Sequence, residues 1–206
     1  MIWSAIRSAV VDYAARGDIT DAKVAAFLPF AEERIFVGDP ETPGLRTQEM
    51  MVGPVAQTVN AALPSALLEL ERVVAIVGSR DRELEYRAAA PIAPYEDVAG
   101  SPSYYSVRGR NLVVGPTFTE TAQIIYYAQP ASPSAPSDEN AIMRLYPRTY
   151  LYSLLVESAV WLKDPELLAQ YLPLFRSAMQ AAAYADQQSR RGNAPIRIVS
   201  DGVVRT

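Results

Sequence analysis

The stretch from Tyr146 to Arg191 constrains the fold most, because it carries two apolar stripes at helical spacing separated by one break. Tyr150, Leu151, Leu154, Leu155, Ser158 and Trp161 fall on one face of a helix over about Pro147 to Lys163. Pro147 suits the first turn, where a missing N–H loses no helical partner. Asp164-Pro165 marks the break, with Asp164 placed to cap the next helix and Pro165 at its first position. The second stripe runs through Leu168, Leu172, Phe175, Met179, Ala182 and Tyr184 or Asp186. Pro173 lies inside it and predicts a kink or a later start, since an interior proline costs about 3 kcal/mol. Gly192 is positioned as a C-terminal cap, with Arg190 and Arg191 set against the helix dipole. So short a connection makes the two helices antiparallel neighbours. Glu157 is expected at the edge of the first stripe, solvated rather than paired inside.

The beginning of the chain is also helical. Trp3, Ile6, Val10 and Tyr13 define an amphipathic helix over Ser4 to Arg16, ended by Gly17. Asp18 or Thr20 caps a second helix whose inner side carries Val24, Phe27, Leu28, Ala31 and Ile35. Pro29 predicts a kink or restart there, and Glu32, Glu33 and Arg34 its wet face. Gly38 to Gly44 is a loop by its punctuation.

Between these ends the pattern turns to strands. Leu45 to Val52 is a possible strand, and Val55 to Ala62 is strand or loop. Ala66 to Leu68 suggests a helical turn. Glu69 to Val77, Glu83 to Ala88 and Thr119 to Tyr127 read as strands, and Tyr104 to Arg108 pairs with Asn111 to Val114 as a hairpin turning at Gly109. Gln129 to Ser137 is a linker rich in proline and serine. Segregated runs of helices and strands argue for an α+β fold. The expected layout is a bundle of N-terminal helices (1–44) and a C-terminal helical hairpin (138–191). A β-rich insertion (45–137) and an extended tail (192–206) complete it.

Composition narrows the chemistry. The 206 residues contain neither cysteine nor histidine. That removes thiolate nucleophiles, disulfides, imidazole general bases and the usual zinc ligands. A net charge of −4 argues against dominant binding to a phosphate backbone. No run reaches the length of a membrane span, and the first residues lack the features of a signal peptide. No cofactor is expected. Asp81, Glu83 and Glu85 alternate on a strand, interleaved with arginines. Such carboxylates suit a hard metal or acid–base work, or simply a charged edge strand, which is the plainer reading. Tyr95, Tyr104, Tyr105, Tyr126 and Tyr127 suit a stacking platform or, more ordinarily, half-buried strand and interface positions.

The tail departs from this pattern. Ile196, Ile198, Val203 and Val204 are apolar but lie beyond the last helix. Such a terminus either frays or pairs as an added strand.

Taken in order, the chain resembles the head–tail adaptor (connector) proteins of tailed bacteriophages. The resemblance rests on the opening helix and the Ala31-Glu-Glu-Arg-Ile35 run. It continues with Leu63-Pro-Ser65 leading to Glu69-Leu-Glu-Arg-Val-Val74, Leu84-Glu-Tyr86 and Gly100-Ser-Pro-Ser-Tyr104. Gly109-Arg-Asn-Leu112, Pro116 and Ile125-Tyr-Tyr127 with Pro130 follow, and then Asn140 and Tyr150-Leu-Tyr-Ser-Leu-Leu155 with Ala159, Leu162 and Asp164. The resemblance implies a structural virion protein rather than an enzyme, made in the bacterial cytoplasm. It implies a ring, usually of twelve copies, beneath the portal protein. The ring would extend the channel for double-stranded DNA, help retain the genome and offer a docking surface for the tail or neck proteins. It also implies a C-terminal segment reaching the portal, here Ile196, Arg197, Ile198 and Val199, with Val203 and Val204 beside them. The competing readings are a carboxylate-dependent hydrolase using Asp81, Glu83 or Glu85, and another neck or tail-completion protein.

Overall fold

The computed structural model describes residues 1–78, 80–88, 98, 100–116, 118 and 121–190. Helices α1 (Trp3–Ala14) and α2 (Asp21–Phe36) open the chain. A 3-10 turn (Gln48–Met50) leads into strand β1 (Met51–Thr58). Strands β2 (Leu67–Val77), β3 (Arg80–Glu83), β4 (Glu85–Tyr86), β5 (Tyr104–Arg108), β6 (Asn111–Gly115) and β7 (Thr121–Ala128) follow. Helices α3 (Ala141–Leu145), α4 (Pro147–Leu162) and α5 (Pro165–Arg190) finish the described chain. The fold is α+β, with the helices gathered from the two ends and the strands from the middle.

Helix α4 lies at the centre of the bundle. Tyr150, Leu154, Leu155 and Val156 are wholly buried, and α1, α2 and α5 all pack on it. Lys163 closes α4 in a left-handed conformation, and the Asp164 carboxylate accepts the N–H groups of Glu166 and Leu167 to start α5. Thr20 caps α2 in the same way, its hydroxyl accepting from the Lys23 N–H. The two interior prolines neither break nor delay their helices. Pro29 and Pro173 both stand on the solvent side, so the carbonyls they leave without an N–H partner reach water.

The strands form two sheets. One has the order β1-β7-β2-β3 and is antiparallel throughout; the other has the order β4-β5-β6. In β7 the side chains of Ala122, Ile124 and Tyr126 join the core between the sheets, while Tyr127 turns into the helical core. One strand thus belongs to both cores and couples the bundle to the β-rich part. The hairpin β5–β6 turns at Gly109 and Arg110, both with positive φ (56° and 69°), the geometry a two-residue hairpin loop requires. At Gly53 (φ 128°) a Cβ would stand 2.6 Å from the Ile124 carbonyl oxygen, so β1 can approach β7 there only with glycine.

Several expectations from sequence give way. Leu45 to Val52 is not one strand: Arg46 turns back to donate to the Phe36 carbonyl, and the strand starts at Met51. Ala66–Leu68 is no helical turn, since Leu67 already pairs with Ala128 on β7. Glu83–Ala88 divides at Leu84, where the chain leaves one sheet for the other and pairs in parallel with β5. Helix α1 ends at Ala14, with Ala15 rather than Gly17 supplying the left-handed cap. Gly192, Tyr95 and the tail residues Ile196, Arg197, Ile198, Val199, Val203 and Val204 lie outside the described residues.

Candidate assembly surfaces and the joints behind them

Glu32 sits in the helical core, although sequence put it on the wet face of α2. It follows Leu28 by four residues and precedes Phe36 by four, a spacing that places it on the buried row. The Tyr150 hydroxyl of α4 donates to its carboxylate at 3.1 Å, and the Ser132 hydroxyl donates to the other oxygen. Asn140 donates to the Tyr150 hydroxyl at 2.9 Å and to the Ala131 carbonyl at 3.2 Å, while its own oxygen caps α3 at the Met143 N–H. The proline- and serine-rich segment is therefore stitched to the bundle. The Pro136 carbonyl within it and the Asp138 carbonyl just after it accept the Ser4 and Trp3 N–H groups of α1, which lacks a side-chain cap. Asp138 is held ionised below its ordinary range by the N–H groups of Ala135 and Ser134.

Burial pushes the Glu32 carboxyl above its ordinary range, against the two hydroxyl hydrogen bonds, which favour the anion. A folded-state pKa above the unfolded value means that the folded chain prefers the proton. Stability from this group is therefore greatest in acid and declines as pH rises through the folded pKa. Glu32→Gln keeps an acceptor for Tyr150 and carries no charge. Thermal melts between pH 5 and 8 are expected to show a higher Tm for the variant at neutral pH and a flatter pH dependence. Equal slopes for both proteins would refute the assignment.

Glu157 is also a correction. Its side chain is only 12% exposed and pairs with Arg34 at 2.7 Å, so it is an interior acid with a partner, bridging α4 to α2. Asp186 forms a third joint. Its carboxylate accepts the Gln48 N–H at 2.6 Å and the Arg190 Nε at 2.7 Å, and the Arg190 guanidinium lies 5.8 Å from the Tyr127 ring centroid. The end of α5 is thus fixed to the first turn of the β-rich part and to β7. Spacing places Asp186 on the α5 stripe, with Arg190 four residues on; its other partner, Gln48, is 138 residues away in the chain and leaves no local signal.

Outside these joints, large apolar side chains lie at the surface. Phe30 on α2 and Val160 and Trp161 on α4 share the antiparallel α2–α4 seam, where Lys23 Nζ stands 3.8 Å from the Trp161 ring centroid. An open groove of about 540 Å³ runs along β2, lined by Leu67, Leu68 and Leu70 and by Tyr86, Tyr105 and Val107 of the other sheet. A second groove of about 340 Å³ lies between the start of α4 and the middle of α5.

The residues considered for chemistry do not converge. Asp81 and Glu83 lie exposed on β3, the edge of its sheet, and Glu83 pairs with Arg72 at 3.0 Å. Glu85 is exposed on β4, in the other sheet. Among the described residues no group of three or more acids gathers as a metal site. Among the described residues the tyrosines form no open platform: Tyr105, Tyr126 and Tyr127 are buried, and Tyr104 lies beneath the Arg87 guanidinium at 3.4 Å. No described helix is long and apolar enough to cross a membrane.

Buried polar groups thus join the elements, and large apolar side chains stand outside on the α2–α4 seam and along β2. The family model of the SU10 adaptor protein matches residues 1–199, and the chain belongs to that family. It is a bacteriophage adaptor, as the head–tail adaptor resemblance implied. No curated protein matches the chain.

Proposed function

We propose that the protein forms a ring, of twelve copies, beneath the portal at the head–tail interface of the virion. The ring extends the DNA channel, helps retain the genome and presents the surface on which the tail or neck proteins dock. The observation that carries this reading is the family match over residues 1–199. The net charge of −4 suits a channel past which DNA must slide. Ile196, Arg197, Ile198 and Val199, with Val203 and Val204, are the portal contact in this reading. Mixing purified protein with portal rings from the same genome tests it, by sedimentation and negative-stain electron microscopy. The expected result is a collar of density on the narrow end of the portal; a folded protein that leaves the portal bare would overturn it.

The α2–α4 seam supplies the contact between neighbouring copies. Half-exposed Trp161 and exposed Phe30 are the kind of large side chains that anchor interfaces when buried. Phe30→Asp with Trp161→Glu is expected to leave the monomer folded and to abolish ring formation on the portal. Rings forming as before in the double variant would move the copy–copy contact elsewhere.

A further inference from the structure

We propose that the α2–α4 seam of one copy docks into the groove between α4 and α5 of the next, with Phe30 entering the groove and Glu33 meeting Arg148. This rests on the reading that the seam is the contact between copies in the ring. A ring is built from one contact repeated head to tail, so each copy brings two different faces to it. A seam that offers exposed Phe30 and half-exposed Trp161 therefore needs a complement elsewhere on the same molecule.

The α4–α5 groove stands in the right place. On α4, Ser153, Glu157 and Trp161 turn to α2, where they meet Ala31, Arg34 and Phe27. Arg148 and Tyr152 line the groove instead. At roughly 3.6 residues per turn, these two rows lie about 160° apart around the helix. The two faces are thus on opposite flanks of the central helix, an arrangement that lets each copy join a neighbour on either side.

The walls suit an aromatic side chain. The groove of about 340 Å³ is lined by Tyr152, by the exposed Leu145 and Leu174, and by the small side chains of Ser177, Ala178 and Ala181 on α5. The small residues let a neighbouring helix come close, and the larger ones enclose the ring that it carries.

The charges are complementary. The notch around Phe30 carries Glu33, Asp39 and Glu157 against Arg34 alone, whereas Arg148 is the charged residue of the groove. Arg34 and Glu157 satisfy each other, and Asp39 accepts the N–H groups of Glu41 and Thr42. Glu33 and Arg148 are exposed and, among the described residues, have no side-chain partner. Phe30 and Glu33 are one helical turn apart, with Cβ atoms about 5–6 Å from each other, and so are Tyr152 and Arg148. Phe30 set against Tyr152 therefore brings Glu33 to Arg148, where a guanidinium and a carboxylate can pair through two hydrogen bonds.

Charge exchange on portal rings tests this, read by negative-stain electron microscopy. Glu33→Arg and Arg148→Glu are each expected to lose the collar that the unaltered protein forms, because like charges then face each other at every contact. Mixed in equal amounts, the two variants are expected to restore it, since in an alternating ring every contact again joins opposite charges. Misfolded variants could not rescue one another. Collars from either variant alone, or no rescue on mixing, would overturn the proposal. If rings were lost in the Phe30→Asp and Trp161→Glu double variant yet indifferent to charge exchange, the seam would remain the contact and its complement would lie elsewhere.

A second measurement needs no portal. The chain contains no cysteine, so an introduced pair reports without background. Glu33→Cys with Arg148→Cys, oxidised in concentrated protein, is expected to give a ladder of linked multimers, because the two positions lie on opposite flanks of α4 and cannot join within one copy. Glu33→Cys with Val107→Cys, on the β-rich part, is expected to give at least tenfold less. Monomers alone, or equal yields from the two pairs, would overturn the proposal. A ladder obtained while portal rings stay bare would uphold it and leave only the portal docking refuted.

Discussion

Deleting residues 192–206 is expected to abolish binding to portal rings while the protein still unfolds in one cooperative transition. The two halves of this expectation have separate physical grounds. Among the described residues, every buried residue of both clusters lies between Trp3 and Ala182, and the deletion retains all of them. The joint that fixes the end of α5 uses Asp186 and Arg190, which the deletion retains. Binding, by contrast, loses its apolar anchors. Burying Ile196 and Ile198 contributes about 1.5–3 kcal/mol each, so their loss weakens each contact at least about a hundredfold. Sedimentation with portal rings measures the first half and a thermal melt the second. A deleted protein that binds as well as the full chain would remove the segment from the portal contact.

The second large effect is expected at Tyr150. Its ring is wholly buried against Phe36, with centroids 6.3 Å apart, and its hydroxyl links Glu32 to Asn140. Tyr150→Ala removes the ring from a closed core, at a cost of about 3–5 kcal/mol. It also leaves a buried carboxylate without one of its donors. Against the 5–15 kcal/mol that ordinarily separates folded from unfolded states, that is a large fraction. Tyr150→Phe keeps the ring and loses only the hydroxyl, so about 1–3 kcal/mol is expected. Denaturant unfolding of the two variants, each alone and combined with Glu32→Gln, separates packing from hydrogen bonding. If Tyr150→Phe cost as much as Tyr150→Ala, the ring would contribute nothing, and the account of the core would be wrong.

The joints explain why so much of the fold could be read locally and so little of the surface behaviour. Helix α4 and the start of α5, capped by Asp164, follow from spacing and from one dipeptide. The hairpin at Gly109 follows from one glycine between two runs of strand-forming residues, Tyr104 to Val107 and Leu112 to Val114. These are short-range consequences, in which the residues that form the element also end it. The adaptor resemblance drew on the same elements in order, and the family match bears it out. By contrast, Glu32, Glu157 and Asp186 were legible only as acids at helical positions. Whether each is solvated or paired depends on Tyr150, Arg34 and Gln48, which arrive from elsewhere in the chain.

By itself the sequence determined the order of helical and strand-rich runs, the α+β class and the antiparallel hairpin of α4 and α5, since periodicity, caps and turns act within a few residues. Only the tertiary structure decided that Pro29 and Pro173 are tolerated, because that depends on which side of a helix faces water. It alone decided that β4 leaves the sheet of β3 to run parallel with β5, and that β7 serves two cores at once. Those outcomes are contacts between residues far apart in the chain, and their free energy comes from burial and pairing that no local window contains.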